Sequence, residues 1–280
     1  MKLFNIDDFF GLRTIDVFGL MYGYKKIISS YITETFLQKL TDAFSRHGLK
    51  YVVLDKSYDY KHSSLTYLIS KKTKYLLDAK SAYKSGQFDV IGKYLGYPSC
   101  CVDFYCKNFI KNDYASVDYI AKIYHNSSRF YWKLNNILNF DGRIKKCIGY
   151  SKELAPFISL ISHCPCSYNC KKSLKIANIN YKYYLLYKSL GLKYYSILKM
   201  PVLYIDDFHF VIFYGASDNN SIQYRTMLYC LGERKIIPYL LNADRLTIYN
   251  NSVIIYKGTK MIKNFDYGKQ ILVLPFDRNG

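Results

Sequence analysis

Two groups of cysteines that lie far apart in the sequence place the strongest constraint on how this chain can fold. The first occupies residues 96–101 (GYPSCC) and the second occupies residues 163–170 (HCPCSYNC). In each group a proline, which cannot continue a preceding helix, is followed by a serine that is a favourable N-cap. Each group is therefore predicted at the start of a new helix, and convergence of the two starts would gather four thiols in one pocket.

The four thiols of this pocket belong to Cys100, Cys101, Cys166 and Cys170, and their chemistry points to metal binding. At a helix start, unsatisfied amides and the positive end of the helix dipole favour the thiolate form, which is the form that binds metals. Because this potential suits a centre with net negative charge, the sequence predicts an iron-sulfur cluster. Zinc is the alternative, although structural zinc sites more often use paired C-x-x-C knuckles, and this chain contains none.

The pattern leaves open which nearby side chains also take part in this centre. His163 is predicted to belong to it, either in place of one thiolate or as a group that orients one through its second ring nitrogen. Cys164 is a further candidate ligand. Cys106 falls on an apolar stripe, and Cys147 and Cys230 stand alone in the sequence, so these three are predicted to pack as small hydrophobic side chains. Reactive thiols without a metal and buried structural thiols are the remaining interpretations of the cluster.

Residues 96–104 and 163–170 together resemble the paired signature of an uncharacterised prokaryotic family catalogued as domain of unknown function 483. That signature has a glycine-x-proline-x-cysteine-cysteine element and a later histidine-x-proline-cysteine-serine-x-x-cysteine element. The resemblance covers these two stretches and the spacing between them. It implies that Cys100 and Cys101 form one site with His163, Cys166 and Cys170, it places Cys164 at a variable position, and it implies no activity.

The chain is strongly basic, with 40 lysines and arginines against 21 acidic residues and a formal net charge of +19. Such a charge favours phosphate-rich partners or acidic substrates. A coding bias toward AT-rich codons explains abundant lysine but not the scarcity of glutamate, which occurs only three times. In the helix predicted from Tyr168 to about Leu190, Cys170 points inward, and Lys171, Lys175 and Lys182 fall on the opposite face. These three lysines are the predicted contact surface for nucleic acid or another anion.

The pattern of apolar residues predicts an α+β fold in three parts. The first part is mixed α/β, with a helix over 33–47 and strands over 51–55 and 65–70. The middle, about 76–191, is helical and carries the clustered cysteines. The last part is antiparallel sheet, with apolar runs at 202–205, 208–214, 222–229, 246–256 and 271–274 and a tight turn at Asn250-Asn251. The change in periodicity predicts two domains, residues 1–192 with the cysteine site and residues 193–280.

Targeting signals and common enzyme motifs are lacking in the sequence. Two aspartates near the N-terminus interrupt any secretory signal, and no apolar run reaches the length of a spanning helix, which predicts a cytoplasmic protein without membrane segments. There is no phosphate loop, dinucleotide fingerprint or nucleophile elbow. The radical S-adenosylmethionine pattern also fails, because serine occupies position 173 where a third cysteine would stand.

These observations support two classes of function. The leading interpretation is an iron-sulfur or other metal-dependent enzyme whose basic residues bind an anionic small molecule. The alternative is a nucleic-acid-binding module with a structural zinc site, in which lysines contact phosphates and tyrosines stack on bases. A scaffold without chemistry of its own is a third option. The sequence identifies no catalytic residue for any of them.

Overall fold

The computed structural model describes residues 4–9, 11–59, 62–110, 118–138, 159–187, 192–218, 220–232 and 235–276. Within these ranges the chain forms eight α-helices and ten strands, and every strand pair is antiparallel. This arrangement confirms the predicted α+β class. The chain groups into two compact units, Met1–Ala115 and Ser116–Gly280. The domain boundary predicted between residues 192 and 193 stays a prediction.

The first unit combines a small sheet with helices that come before, between and after its strands in the chain. Its elements are α1 (Thr14–Met21), β1 (Ile28–Thr33), α2 (Glu34–Arg46), β2 (Lys50–Asp59), β3 (His62–Ser70), α3 (Thr73–Lys84), α4 (Phe88–Tyr94) and α5 (Ser99–Tyr105). The strands form an antiparallel sheet in the order β1-β3-β2. Helix α2 and the two strands after it confirm the predicted elements. A π-helical turn, Cys106–Ile110, continues the chain directly after α5.

Helix α3 buries an apolar face against this sheet, and α4 packs against α3. The buried side chains of α3 are those of Leu76, Ala79 and Ala82, which recur at helical spacing. They pack with Ile91 of α4 and with Leu68 of β3 in one hydrophobic cluster. This packing fixes the C-terminal end of α4, from which the chain turns toward the first cysteine group.

The turn between α4 and α5 depends on Gly96, which has a positive φ of 72°. A side chain at this position would place its Cβ 2.6 Å from the carbonyl oxygen of Tyr24, which is closer than such atoms can approach. Glycine is therefore required both for the backbone conformation and for the close contact. Gly96 thus sets the direction in which α5 begins.

We expect Gly96→Ala to lower the free energy of unfolding by about 1–3 kcal/mol through backbone strain, with a further loss from the contact with the Tyr24 carbonyl. Gly86→Ala is the matched control, because Gly86 has a similar φ of 67°. The nearest atom to a Cβ built at Gly86 is 3.9 Å away, so that variant carries the strain alone. Urea unfolding of both variants measures the difference, and equal losses would contradict the role assigned to the Tyr24 contact.

The second unit is dominated by a seven-stranded antiparallel sheet in the order β10-β4-β5-β6-β7-β8-β9. Its elements are α6 (Tyr119–His125), α7 (Lys171–Leu186), β4 (Val202–Asp206), β5 (His209–Ser217), β6 (Ser221–Leu231), α8 (Ile237–Leu241), β7 (Arg245–Tyr249), β8 (Ser252–Lys257), β9 (Lys260–Asp266) and β10 (Leu272–Leu274). Short 3-10 helices occupy Trp132–Leu134 and Leu192–Lys199. The core includes Val211, Phe213, Ile222 and Leu246 from the sheet.

The predicted strands of the last third are confirmed, and so is the tight turn between β7 and β8. Asn250 has a positive φ of 52°, a conformation that asparagine tolerates better than most residues. Strand β9 and helix α8 were not predicted. None of the helices in the described ranges combines the length and the apolar character needed to cross a membrane.

Candidate metal centre

The first half of the candidate centre lies in the opening turn of α5. The carbonyl oxygen of Pro98 accepts hydrogen bonds from the backbone amides of Cys101 (2.9 Å) and Val102 (3.0 Å). Pro98 is therefore the N-cap residue and Ser99 is the first residue of the helix, so the prediction of Ser99 as the cap was wrong by one position. Cys100 and Cys101 lie in the first turn as predicted, and their Sγ atoms are 4.0 Å apart.

Close packing of α4 against α5 holds this turn in place. A Cβ built on Gly92 would lie 2.6 Å from Cγ2 of Val102, so the two helices approach as closely as a glycine allows. The backbone amide of Tyr97 also donates to the carbonyl oxygen of Gly92 at 3.0 Å. Cys101 and Val102 are buried, and Cys100 is half-buried. The packing thus fixes the helix turn that carries both thiols.

The second half of the centre is the loop from Cys166 to Cys170, and hydrogen bonds from the segment 126–131 hold it. The side-chain amide of Asn126 donates to the carbonyl oxygen of Cys166 at 2.6 Å. The backbone amide of Tyr168 donates to Oγ of Ser127 at 2.7 Å, and the backbone amide of Tyr131 donates to the Tyr168 carbonyl at 3.1 Å. The backbone between the two cysteines is therefore fixed by partners about forty residues earlier in the sequence.

These contacts explain why α7 begins later than predicted. The sequence predicts Ser167 as the cap and Tyr168 as the first helical residue, but α7 begins at Lys171 with Cys170 in the N-cap position. Both backbone polar groups of Tyr168 are engaged with the segment 126–131. The prediction of the helix start was wrong because these tertiary hydrogen bonds replace those of a helical turn. Cys170 is buried, as predicted.

The structure brings four sulfur atoms together. The Sγ atoms of Cys100, Cys101, Cys166 and Cys170 all lie within 4.8 Å of one another, and this group could hold a metal ion. Four thiolates bound to one tetrahedral ion at about 2.3 Å would lie about 3.8 Å apart. The observed separations exceed that value only modestly. The thiols present therefore fit a metal ion, and they are the four that the sequence predicts.

Three neighbouring side chains lie outside this group of sulfurs. His163 is buried, and its Nε2 atom is 2.8 Å from Oγ of Ser173, one turn after Cys170. Cys164 and Cys106 are half-buried. Burial raises the pKa of the Cys106 thiol, and the charges of nearby aspartates raise it further, so this thiol is a poor source of thiolate. A part for His163 or Cys164 in the centre stays a prediction.

Comparison with protein-family models, with curated proteins and with solved structures finds no match. The resemblance to domain of unknown function 483 therefore stays a prediction. The assignment of the centre depends on the geometry of the four thiols alone. Cys147 lies outside the described residues, and so does the side chain of Cys230, so the packing predicted for both is untested.

The predicted basic face lies on α7, immediately after Cys170. Lys171, Lys175 and Lys182 are all exposed. Within the described part of the chain, none of the three forms an ion pair with a carboxylate. Their contact with nucleic acid or another anion stays a prediction.

The residues of the segment 126–131 that hold the cysteine loop were not singled out from the sequence. Asn126 and Ser127 are separated from their partners by about forty residues. No local pattern links a polar side chain to a carbonyl at that separation. The one available signal was the Asn-Ser-Ser run after a short helical segment, which is equally typical of an ordinary turn.

Proposed function

We propose that this protein binds one zinc ion through the thiolates of Cys100, Cys101, Cys166 and Cys170, and that the ion has a structural role. The observation that carries the proposal is the mutual distance of the four Sγ atoms, none above 4.8 Å. The pair in α5, at 4.0 Å, is already close to the separation of about 3.8 Å expected in a tetrahedral thiolate site. Zinc in structural sites is almost always bound in this geometry.

The spacing favours a single ion over the iron-sulfur cluster that the sequence predicts. In a four-iron cluster each cysteine binds a different iron, so inorganic sulfide and several iron atoms separate the thiolates. Such ligands lie further apart than ligands that share one ion. Cys100 and Cys101 are adjacent in the chain with nearly touching thiols, an arrangement suited to one shared metal. The iron-sulfur cluster remains the alternative.

A structural role follows from the number of protein ligands. Catalytic zinc usually keeps one coordination position for water or substrate, whereas structural zinc has four protein ligands. With four thiolates the proposed site is closed. Zinc would then stabilise the folded state, since most of the binding free energy of such a site becomes folding free energy. Any reaction or recognition would use residues other than these cysteines.

Anaerobic purification followed by metal and sulfide analysis tests this proposal. We expect about one zinc per chain, no acid-labile sulfide and no visible absorption. Iron with acid-labile sulfide and a broad visible absorption would show that the site holds an iron-sulfur cluster and not zinc. The absence of both metals, in protein whose thiols remain reduced, would overturn metal binding altogether.

A second candidate function is nucleic-acid binding, and it is favoured by three exposed lysines on α7 that form no ion pair within the described residues. Lys171→Gln, Lys175→Gln and Lys182→Gln, combined in one variant, should weaken binding to single-stranded RNA, because each phosphate contact releases counterions on binding. The slope of log K against log salt should fall in magnitude by about two units. Fluorescence anisotropy across a salt series measures both quantities, and zinc content should not change.

The matched control removes the same charge elsewhere. Lys39→Gln, Lys74→Gln and Lys84→Gln replace three exposed lysines of the first unit. This control should bind RNA like the unmodified protein. Equal weakening by both triple variants would assign the effect to net charge, and the absence of salt-dependent RNA binding by the unmodified protein would exclude this second candidate.

A further inference from the structure

A cleft of about 560 Å³ lies in the second unit, and no motif in the sequence pointed to it. Its walls are the segment 128–131, the end of β5 at 215–217, and four residues from other segments, Lys199, Pro201, Pro275 and Phe276. Sites for small molecules commonly have volumes of about 300–1,000 Å³. The cleft is thus large enough to take a metabolite-sized ligand.

The charge of the cleft is positive. Among the described residues that line it, the charged ones are Arg129 and Lys199, and none is a carboxylate. Neither cation forms an ion pair in the described ranges of the chain. Two cations at one concave surface attract an anion, and an arginine can bind a phosphate or carboxylate through two parallel hydrogen bonds.

The charged end of Lys199 lies over an aromatic ring. Its Nζ atom lies 4.6 Å from the ring centroid of Trp132, and the Nζ atom of Lys133 lies 5.3 Å from the same centroid. Burial lowers the pKa of Lys133, and the charge of Lys199 lowers it further. Two lysines therefore share one indole ring beside the cleft, which adds to its positive potential.

The rest of the lining is largely aromatic and apolar. Phe130 and Phe276 contact each other edge to face, with ring centroids 6.2 Å apart, and Tyr131 adds a third ring. Pro201 and Pro275 contribute further apolar surface. Such surfaces favour a flat ring, because stacking on an aromatic side chain is worth about 1–3 kcal/mol per base. The lining thus combines a cationic part with a part suited to a planar group.

We propose that this cleft binds a small anion that carries a planar ring, of the kind represented by a mononucleotide. The phosphate would contact Arg129 and Lys199, and the base would lie against the aromatic lining. This inference goes beyond the proposed zinc site and does not depend on it. It assigns the ligand-binding part of the protein to residues other than the cysteines.

The cleft and the cysteine loop nevertheless share part of their support. The ring of Tyr168 lies between Cys166 and Cys170 in the sequence and packs against two lining residues, Phe130 at 5.5 Å and Phe276 at 5.1 Å between ring centroids. The segment 126–131 holds that loop, and its residues 128–131 line the cleft. Binding experiments therefore use the full chain as purified, with its metal content measured in the same sample.

The direct test is calorimetric titration of the full chain with AMP, adenosine and ribose 5-phosphate. AMP carries both a ring and a phosphate, adenosine lacks the phosphate, and ribose 5-phosphate lacks the ring. We expect AMP to bind at least about tenfold more tightly than either fragment, since each fragment forfeits one class of contact. AMP affinity no greater than that of both fragments, or no measurable AMP binding, would overturn the inference.

Substitutions in the lining test where AMP binds. Arg129→Gln should weaken binding about 10- to 100-fold, the value of a charge-assisted hydrogen bond. Arg225→Gln is the control, because Arg225 is exposed on β6 and does not line the cleft. Ala216 is an exposed lining residue, so Ala216→Glu and Ala216→Gln differ at the cleft only in charge.

The comparison of the two Ala216 variants is the clearest test of the binding position. Ala216→Glu should weaken AMP binding about tenfold more than Ala216→Gln, whereas adenosine should not distinguish the two variants. Thermal unfolding of each variant verifies that it is folded. If both Ala216 variants and Arg129→Gln bind AMP with the affinity of the unmodified protein, the ligand binds elsewhere and the assignment of this cleft is overturned. Zinc content should be equal in all of these proteins, so failure here is distinct from failure of the metal proposal.

Discussion

Cys101→Ser and Cys170→Ser are each expected to abolish retention of zinc by the purified protein. Each substitution replaces one of four thiolates with a hydroxyl group that remains protonated and binds zinc weakly. The apparent free energy of zinc binding at structural sites is about 10–16 kcal/mol, so loss of one ligand should lower affinity about 100-fold or more. Metal analysis after dialysis measures the loss, and Cys100→Ser and Cys166→Ser should behave in the same way.

The chain offers matched controls for these variants. Cys106 and Cys164 are half-buried like Cys100 and Cys166, but their sulfurs are not part of the group of four. Cys106→Ser and Cys164→Ser should retain zinc, as should the variants Cys147→Ser and Cys230→Ser. Equal loss from all eight would indicate general misfolding. Loss from Cys164→Ser with retention by Cys166→Ser would contradict the ligand assignment.

Lys25→Met is expected to lower the free energy of unfolding by about 3–5 kcal/mol, the second largest effect that the structure predicts. The Nζ atom of Lys25 is 2.6 Å from Oδ1 of Asp16, and both residues are buried. Burial lowers the pKa of Lys25, while the Asp16 charge opposes that change. Removal of the lysine takes away the closest cation of a buried carboxylate and leaves it with the more distant Arg13, whose Nη1 atom is 3.9 Å from Oδ2, and this is the costly way to break such a pair.

This ion pair also supports the turn before the first cysteine group. The Lys25 side chain passes Gly96, whose built Cβ would lie 3.1 Å from its Cγ atom. Its Nζ atom lies 4.8 Å from the ring centroid of Tyr97. We therefore expect Lys25→Met to weaken zinc retention as well, through displacement of the turn that leads into α5.

Two further variants separate the ion pair from other effects of the substitution. Asp16→Leu combined with Lys25→Met should recover most of the lost stability, because the buried carboxylate that lost its closest cation is then removed as well. Lys26→Met is the neighbouring control, since Lys26 is exposed, and it should change stability by less than about 1 kcal/mol. Chemical unfolding of the unmodified protein and the three variants measures these changes in stability. A loss below about 1 kcal/mol in Lys25→Met would contradict the importance of the pair.

The grouping of the four thiols could be predicted because local signals placed each group independently. Proline, glycine and serine near the cysteines indicated where helices begin, and the chemistry of thiolates indicated why two such starts would meet. Regular elements were equally accessible, since α2 and the strands from β4 to β8 have clear apolar periodicity. The positions of the helix caps were predicted less accurately, because caps are set by backbone contacts that side-chain patterns do not specify.

Features that depend on distant partners could not be predicted. The start of α7 moved by three residues because Tyr168 bonds to the segment 126–131. Helix α1 carries the buried Asp16, which reads as a polar surface residue until Lys25 is known to face it. Strand β9 was missed because its side chains are mostly exposed and include two lysines, which is typical of an edge strand. The cleft is assembled from separate segments of the second unit.

X-ray absorption at the zinc edge of the purified protein tests four-thiolate zinc binding most directly, because it reports the atoms bound to the metal. We expect a first shell of four sulfur atoms at about 2.3 Å and no fifth ligand. A first shell that includes an imidazole nitrogen at about 2.0–2.1 Å would contradict it and would bring His163 into the site. Protein that contains iron atoms with other iron atoms nearby would contradict zinc binding and would indicate an iron-sulfur cluster.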